Sequence, residues 1–153
     1  MSWRTVQLND DLCDQDRLIL NLFNGRPVQY IGTDIEFSKH LNLSEHAQSI
    51  VMIFNRTAWL SELIEFIEQT LTSKQGQEFY IGINRYCICG NDTNIEFETN
   101  TSQDLIEFIS QRINTLGYTV IDSGSFDQDQ GKYFNFIQPL TWIYGTNKNN
   151  RTQ

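Results

Sequence analysis

Lysine, alanine, histidine, proline and cysteine are all scarce in this 153-residue chain, at four, two, two, two and three residues. Three cysteines, Cys13, Cys87 and Cys89, are too few for a disulfide framework. With an odd count, and no basic segment leading into an apolar one in MSWRTVQLNDD, they are expected as free thiols in a reducing cytosol. The longest apolar run, Ile50 to Phe54, is far short of the roughly 20 residues a membrane helix needs. Few cations face many acids: 11 Lys and Arg against 19 Asp and Glu give −8. A domain of that sign repels nucleic acid and anionic membranes. What is abundant is neutral and polar, with Asn and Gln numbering 27. The remaining make-up, 39% hydrophobic and 12% aromatic, is that of an ordinary globular domain and not of a disordered chain.

Motifs that carry chemistry are missing as well. His40 and His46 stand six apart, without the i, i+4 spacing of a metal pair, and no Cys or Asp lies close by. Cys87-Ile88-Cys89 puts two sulfurs on one face of a strand, but two further ligands are lacking, so buried structural thiols are expected. The acidic loop from Asp122 to Gly131 fails as a calcium loop, because its glycine comes one place early and Gln138 stands where a bidentate Glu belongs. Phosphate-binding, dinucleotide-binding, zinc-protease and nucleophile-elbow patterns are absent. No metal, no cofactor and no catalytic residue is expected.

The clearest positive feature is a repeat. Glu62–Leu71 (ELIEFIEQTL) and Asp104–Ile113 (DLIEFISQRI) share six of ten residues at an offset of 42. Both have helical periodicity: Leu60, Leu63, Ile64, Ile67 and Leu71 form one apolar stripe, and Leu105, Ile109, Ile113 and Leu116 the other. Thr57 is a candidate N-cap for the first helix, and Thr101 with Asp104 a candidate capping box for the second. Gly76 and Gly117 stand where left-handed C-caps are usual.

Strand-like segments flank the helices. Ser49–Asn55 precedes the first, and Glu78–Cys89 follows it with Phe79, Ile81 and Ile83 alternating as in a half-buried strand. Beyond the Gly90-Asn91-Asp92 turn lie Thr93–Thr99, the second helix and Tyr118–Asp122. The order β-α-β-β-α-β predicts an α+β, ferredoxin-like split βαβ fold, with two helices on one face of a mainly antiparallel sheet. Tyr133–Tyr144 adds a C-terminal strand, placed at an edge or bent because Pro139 cannot donate a ladder hydrogen bond. Residues 1–48, with a helical Asp14–Phe23 and a short strand Val28–Gly32, read as an αβ decoration on a single domain over 1–145, and 146–153 as a disordered tail.

Function must then reside in a surface. Asp10, Asp11, Asp14 and Asp16 crowd the N-terminus, Glu62, Glu65 and Glu68 line the first helix, and Asp122, Asp127 and Asp129 share one loop. Trp59 and Phe66 sit beside Glu62 on the helical wheel, off the centre of the apolar stripe, and Phe108 holds the equivalent flank of the second helix. Phe66 and Phe108 are expected to meet in a helix–helix seam. Partner contact is expected at Asp10, Asp11, Asp14, Asp16, Trp59, Glu62, Glu65, Asp122, Asp127 and Asp129. The resulting expectation is a non-enzymatic, cytoplasmic, acidic binding protein that occludes a basic partner, such as an immunity protein against a nuclease toxin or a phage inhibitor of a nucleic-acid enzyme. An alternative is a small-ligand regulatory module using the open sheet face or a pocket beside it. A third is a small enzyme built from scattered residues such as Asp122, His40 or Tyr80.

Overall fold

The computed structural model describes residues 14–32, 35–55, 57–74, 76–84, 88–89, 102–126 and 140–147. Helix α1 (Asp14–Phe23) leads into strand β1 (Val28–Ile31) and the single turn α2 (Ile35–Ser38). Then come β2 (Ser49–Phe54), the two-residue β3 (Ala58–Trp59), α3 (Leu60–Lys74), β4 (Glu78–Asn84) and β5 (Ile88–Cys89). Helix α4 (Ser102–Thr115) and strands β6 (Tyr118–Phe126) and β7 (Leu140–Asn147) complete the order. The main sheet has five strands in the order β1-β2-β4-β7-β6, and β3 and β5 form a small parallel pair beside it.

A mixed α+β fold on an open sheet is thus what the chain forms, but the described pairing is not the expected split plan. Strands β2 and β4 are direct parallel neighbours, Ser49 opposite Glu78 through Phe54 opposite Ile83, so the α3 unit is an unsplit βαβ. Strand β1 extends this parallel array, and only β7 runs against its neighbours β4 and β6. The sheet is therefore half parallel rather than mainly antiparallel. The segment Thr93–Thr99, the third strand of the expected plan, lies outside the described residues.

The described part of the N-terminal segment packs directly on the sheet. Helix α1 covers the sheet face opposite α3 and α4, and its buried Ile19 and Phe23 pack with Val28, Val51, Tyr80 and Trp142. Because both faces are covered, β4 is buried almost end to end instead of half buried. Tyr80 stacks on Trp142 beneath α1, their centroids 6.3 Å apart, and its hydroxyl donates to Gln15 Oε1 at 3.1 Å. The side chain of Gln15 reaches the sheet where Gly82 leaves room, since a Cβ there would sit 1.8 Å from Gln15 Oε1. The opposite face is aliphatic: Ile50, Met52, Ile81, Ile83 and Ile143 meet the stripes of α3 and α4. Burying these stripes is what holds both repeat copies on the sheet.

Several boundaries move for identifiable reasons. Strand β7 (Leu140–Asn147) takes an interior position between β4 and β6 and not the expected edge, while residues 133–139, the first part of the expected strand, lie outside the described residues. It runs to Asn147, so Thr146 and Asn147, expected in a disordered tail, sit in the ladder opposite Glu78, Thr119 and Tyr118. Helix α3 begins at Leu60 because β3 pairs with β5 and keeps the chain extended through Trp59. The N-cap is therefore Trp59 and not Thr57; its backbone N–H donates to Glu62 Oε1 at 3.4 Å, one half of a capping box. Gly117 is a left-handed cap with φ +94°. Gly76 lacks a positive φ and serves close packing instead, since a Cβ would fall 2.7 Å from the Gln48 carbonyl oxygen.

Candidate functional site

Strands β1, β2 and β4 all point their carboxyl ends toward one edge of the sheet, where ligand crevices of open parallel sheets lie. The ladder between β1 and β2 stops at Ile31 opposite Met52, while β2 continues beside β4 to Phe54. That step leaves a cavity of about 430 Å³ between the strand ends and the start of α3. Ile31, Phe54, Leu63 and Phe66 supply apolar walls, with Gly32 and Asn55 at the strand ends. Among the described residues, Glu62 is the one charged residue in the lining. Phe66 stands edge-on to Phe54, centroids 5.7 Å apart at 88°, yet remains 41% exposed. Trp59, seven residues earlier and just before the helix, is 48% exposed.

The residues expected at a partner surface divide into those brought together here and those held elsewhere. Trp59, Glu62 and Glu65 occupy the start and outer face of α3 beside Phe66. Glu65 is exposed and accepts a hydrogen bond from Gln69 at 3.2 Å. Asp14 lies on the other side of the sheet, in the first turn of α1, and Arg17 comes within 3.7 Å of it. Asp16 is a correction: it is only 6% exposed, because helical geometry turns it with Gln15 and Ile19 toward the sheet, and it cannot form part of an exposed patch. Asp122 is exposed on β6, at the far edge of the sheet from β1, where a bulge interrupts the register between Val120 and Asp122. Asp10, Asp11, Asp127 and Asp129 lie outside the described residues, as do Cys87 and the Cys89 side chain. Among the described residues, no group of three or more His, Cys, Asp or Glu could hold a metal ion.

The expected seam is also built differently. Phe66 turns toward Phe54, while Phe108 lies under the guanidinium of Arg112, 5.2 Å from ring centroid to Cζ. Between the two helices, Arg112 approaches Glu68 at 3.8 Å. The sheet face that a ligand-binding module would use is closed by α1, with Tyr80 fully buried.

A polar cluster invisible in the sequence sits at the opposite end of the parallel strands, where β2 and β4 begin. Glu78 accepts from Arg26 Nε at 2.9 Å and Nη2 at 3.1 Å, from Ser49 Oγ at 2.7 Å and from the Tyr144 hydroxyl at 2.5 Å. Arg26 Nη2 also donates to the Leu22 carbonyl at 2.7 Å, tying the end of α1 into the same knot. Burial, reinforced by the hydrogen bond and the negative charge of Glu78, pushes the Tyr144 phenol up to about 12. These partners lie up to 66 residues from Glu78 in sequence, so no local spacing announces them. With four donors on one carboxylate, the cluster works as a structural tie.

No protein-family model matches the chain, and no curated protein matches it in sequence. Among solved structures it is similar to an antibiotic-resistance methyltransferase, Kmr, at 10% identity and a TM-score of 0.42, over 66% of this chain. The match spans about half of that protein, 53% of its chain, and assigns no activity to this one. Among the described residues, no helix is long and apolar enough to cross a membrane.

Proposed function

We propose that the protein is a non-enzymatic, cytoplasmic, acidic binding protein that occludes a basic protein partner one to one. It docks through the face of α3 that carries Trp59, Glu62, Glu65 and Phe66. The observation that carries this reading is the pair of exposed aromatics, Trp59 and Phe66, on either side of an exposed carboxylate. Interface energy concentrates in aromatic anchors surrounded by polar groups, and an uncompensated charge of −8 steers cationic partners toward them. A partner of this chemistry, such as a nuclease toxin or another nucleic-acid enzyme, grips phosphate with the lysines and arginines that these carboxylates would neutralise. Occlusion follows from covering that surface, with no chemical step.

The decisive experiment is isolation of the partner on the native full-length chain, repeated with the W59A/F66A and E62K/E65K variants. The reading expects one stoichiometric basic protein whose binding weakens with salt and is lost in both variants. Undiminished binding by both variants, or the absence of any basic partner, would overturn it. A second reading is favoured by the position of the 430 Å³ cavity at the carboxyl ends of β1 and β2: a small-ligand module whose site is that cavity. A metabolite that raises the melting temperature and is displaced by F66A, with no protein partner, would select it.

A further inference from the structure

The two copies of the repeat treat the same aromatic position differently. In α4, Phe108 is covered by an arginine of its own helix four residues on, Arg112, which also approaches the carboxylate of Glu68. In α3, the equivalent of Arg112 is Thr70, which is buried and uncharged. Phe66 therefore has a carboxylate nearby, Glu62, and an apolar wall, Phe54, but no cation from its own helix at the matching position. The cavity beside it is large enough for a guanidinium and its aliphatic stem. Among the described residues of its lining the charge is the negative one of Glu62, and one Glu62 oxygen accepts a hydrogen bond from the Trp59 amide, which orients the carboxylate.

We propose that this cavity receives an arginine side chain from the basic partner, seated between Phe66 and Glu62 as Arg112 is seated between Phe108 and Glu68. The inference rests on the docking reading above and names the anchor it uses. Arginine is selected over lysine because its flat guanidinium stacks on an aromatic face and still directs two N–H groups at a carboxylate, whereas an ammonium is a hydrated point charge. The remaining elements of the site serve this anchor: Phe54 and Ile31 dry the stem, and Trp59 extends the apolar rim.

The test needs no partner. The ¹⁵N-labelled full chain is titrated with ethylguanidinium and, separately, with n-butylammonium, and amide shifts are followed. Saturable shifts are expected at Gly32, Asn55, Glu62 and Phe66 with ethylguanidinium, and binding about two- to five-fold weaker in E62Q and in F66A, the range that one exposed cation–π contact or ion pair supplies. Both variants alter exposed positions, and an unchanged spectrum elsewhere certifies their fold. Equal response to butylammonium, unchanged binding in both variants, or the lack of any saturable shift at these residues would overturn the arginine site. If a basic protein is captured through Trp59 and Glu65 while the guanidinium titration fails, this inference falls and the docking reading stands. If guanidinium binds as described and no basic protein is ever captured, the docking reading falls and the cavity keeps its chemistry.

Discussion

Helices α3 and α4 share one ten-residue pattern and are packed alike on their inner side, yet their outer flanks differ. Leu63, Ile64, Ile67 and Leu71 in the first copy correspond to Leu105, Ile106, Ile109 and Ile113 in the second, and all eight are buried against the same sheet face. The flanking phenylalanines differ: Phe108 lies beneath its own arginine, and Phe66 stands open beside a cavity. A repeat preserves what the core needs and leaves the flank free to change. The difference leaves the flank of α3 open and the flank of α4 covered by its own arginine.

The strongest way to break this comparison is through the shared stripe. Ile67→Ala and Ile109→Ala each leave a cavity under a helix and should each cost about 2–5 kcal/mol, read as a lower urea midpoint. A clear tolerance of one of them would mean that the copies are not equivalent inside. Next in size is Glu78→Ala, which strips Arg26, Ser49 and Tyr144 of their common acceptor and should cost about 1–3 kcal/mol. Because β4 pairs with both β2 and β7, this loss should loosen the platform under both copies, visible as faster amide exchange in α3 and α4 alike.

The flanks separate the copies. Phe108→Ala should cost about 1–2 kcal/mol, from lost burial and the lost cation–π contact with Arg112. Phe66→Ala, at a position 41% exposed, should cost less than about 1 kcal/mol in stability and act chiefly on binding. The smallest effect is a reference that leaves the comparison untouched. The Tyr144 phenol is raised to about 12 from an ordinary 10, so the neutral form is favoured by the fold. Its contribution is fully present below pH 10 and is lost as the pH climbs through 12. Phenolate absorbance near pH 12 should lose one tyrosine's contribution in Tyr144→Phe relative to the wild type.

Much of this was legible in the sequence, and for physical reasons. Period-3.6 stripes marked α3 and α4 because each has one buried face, and Asp14–Phe23 was recognisable as a helix from the same pattern with Gly25 and Pro27 beyond it. Strand neighbours were not legible. A βαβ unit reads the same whether its strands are adjacent or split, since register and partner are set by tertiary packing and not by local pattern. The covered face of β4 misled in the same way: Tyr80 and Gly82 read as outward-facing until α1 is placed over them. Of the site, Trp59, Glu62 and Glu65 were visible as neighbours on one helix. The cavity beside Phe66 was not, because Ile31, Gly32 and Asn55 join it from strand ends that only the parallel pairing of β1 with β2 brings there. Asp16 failed as a surface residue because charge counting carries no information about which way a helix is turned.

The most direct test of the divergence between the two copies is calorimetric titration of the isolated basic partner into the W59A/F66A and F108A variants. The account expects at least a ten-fold loss of affinity for W59A/F66A, with its fold intact, and wild-type affinity for F108A. Equal affinities for the two variants, or a greater loss in F108A, would contradict it.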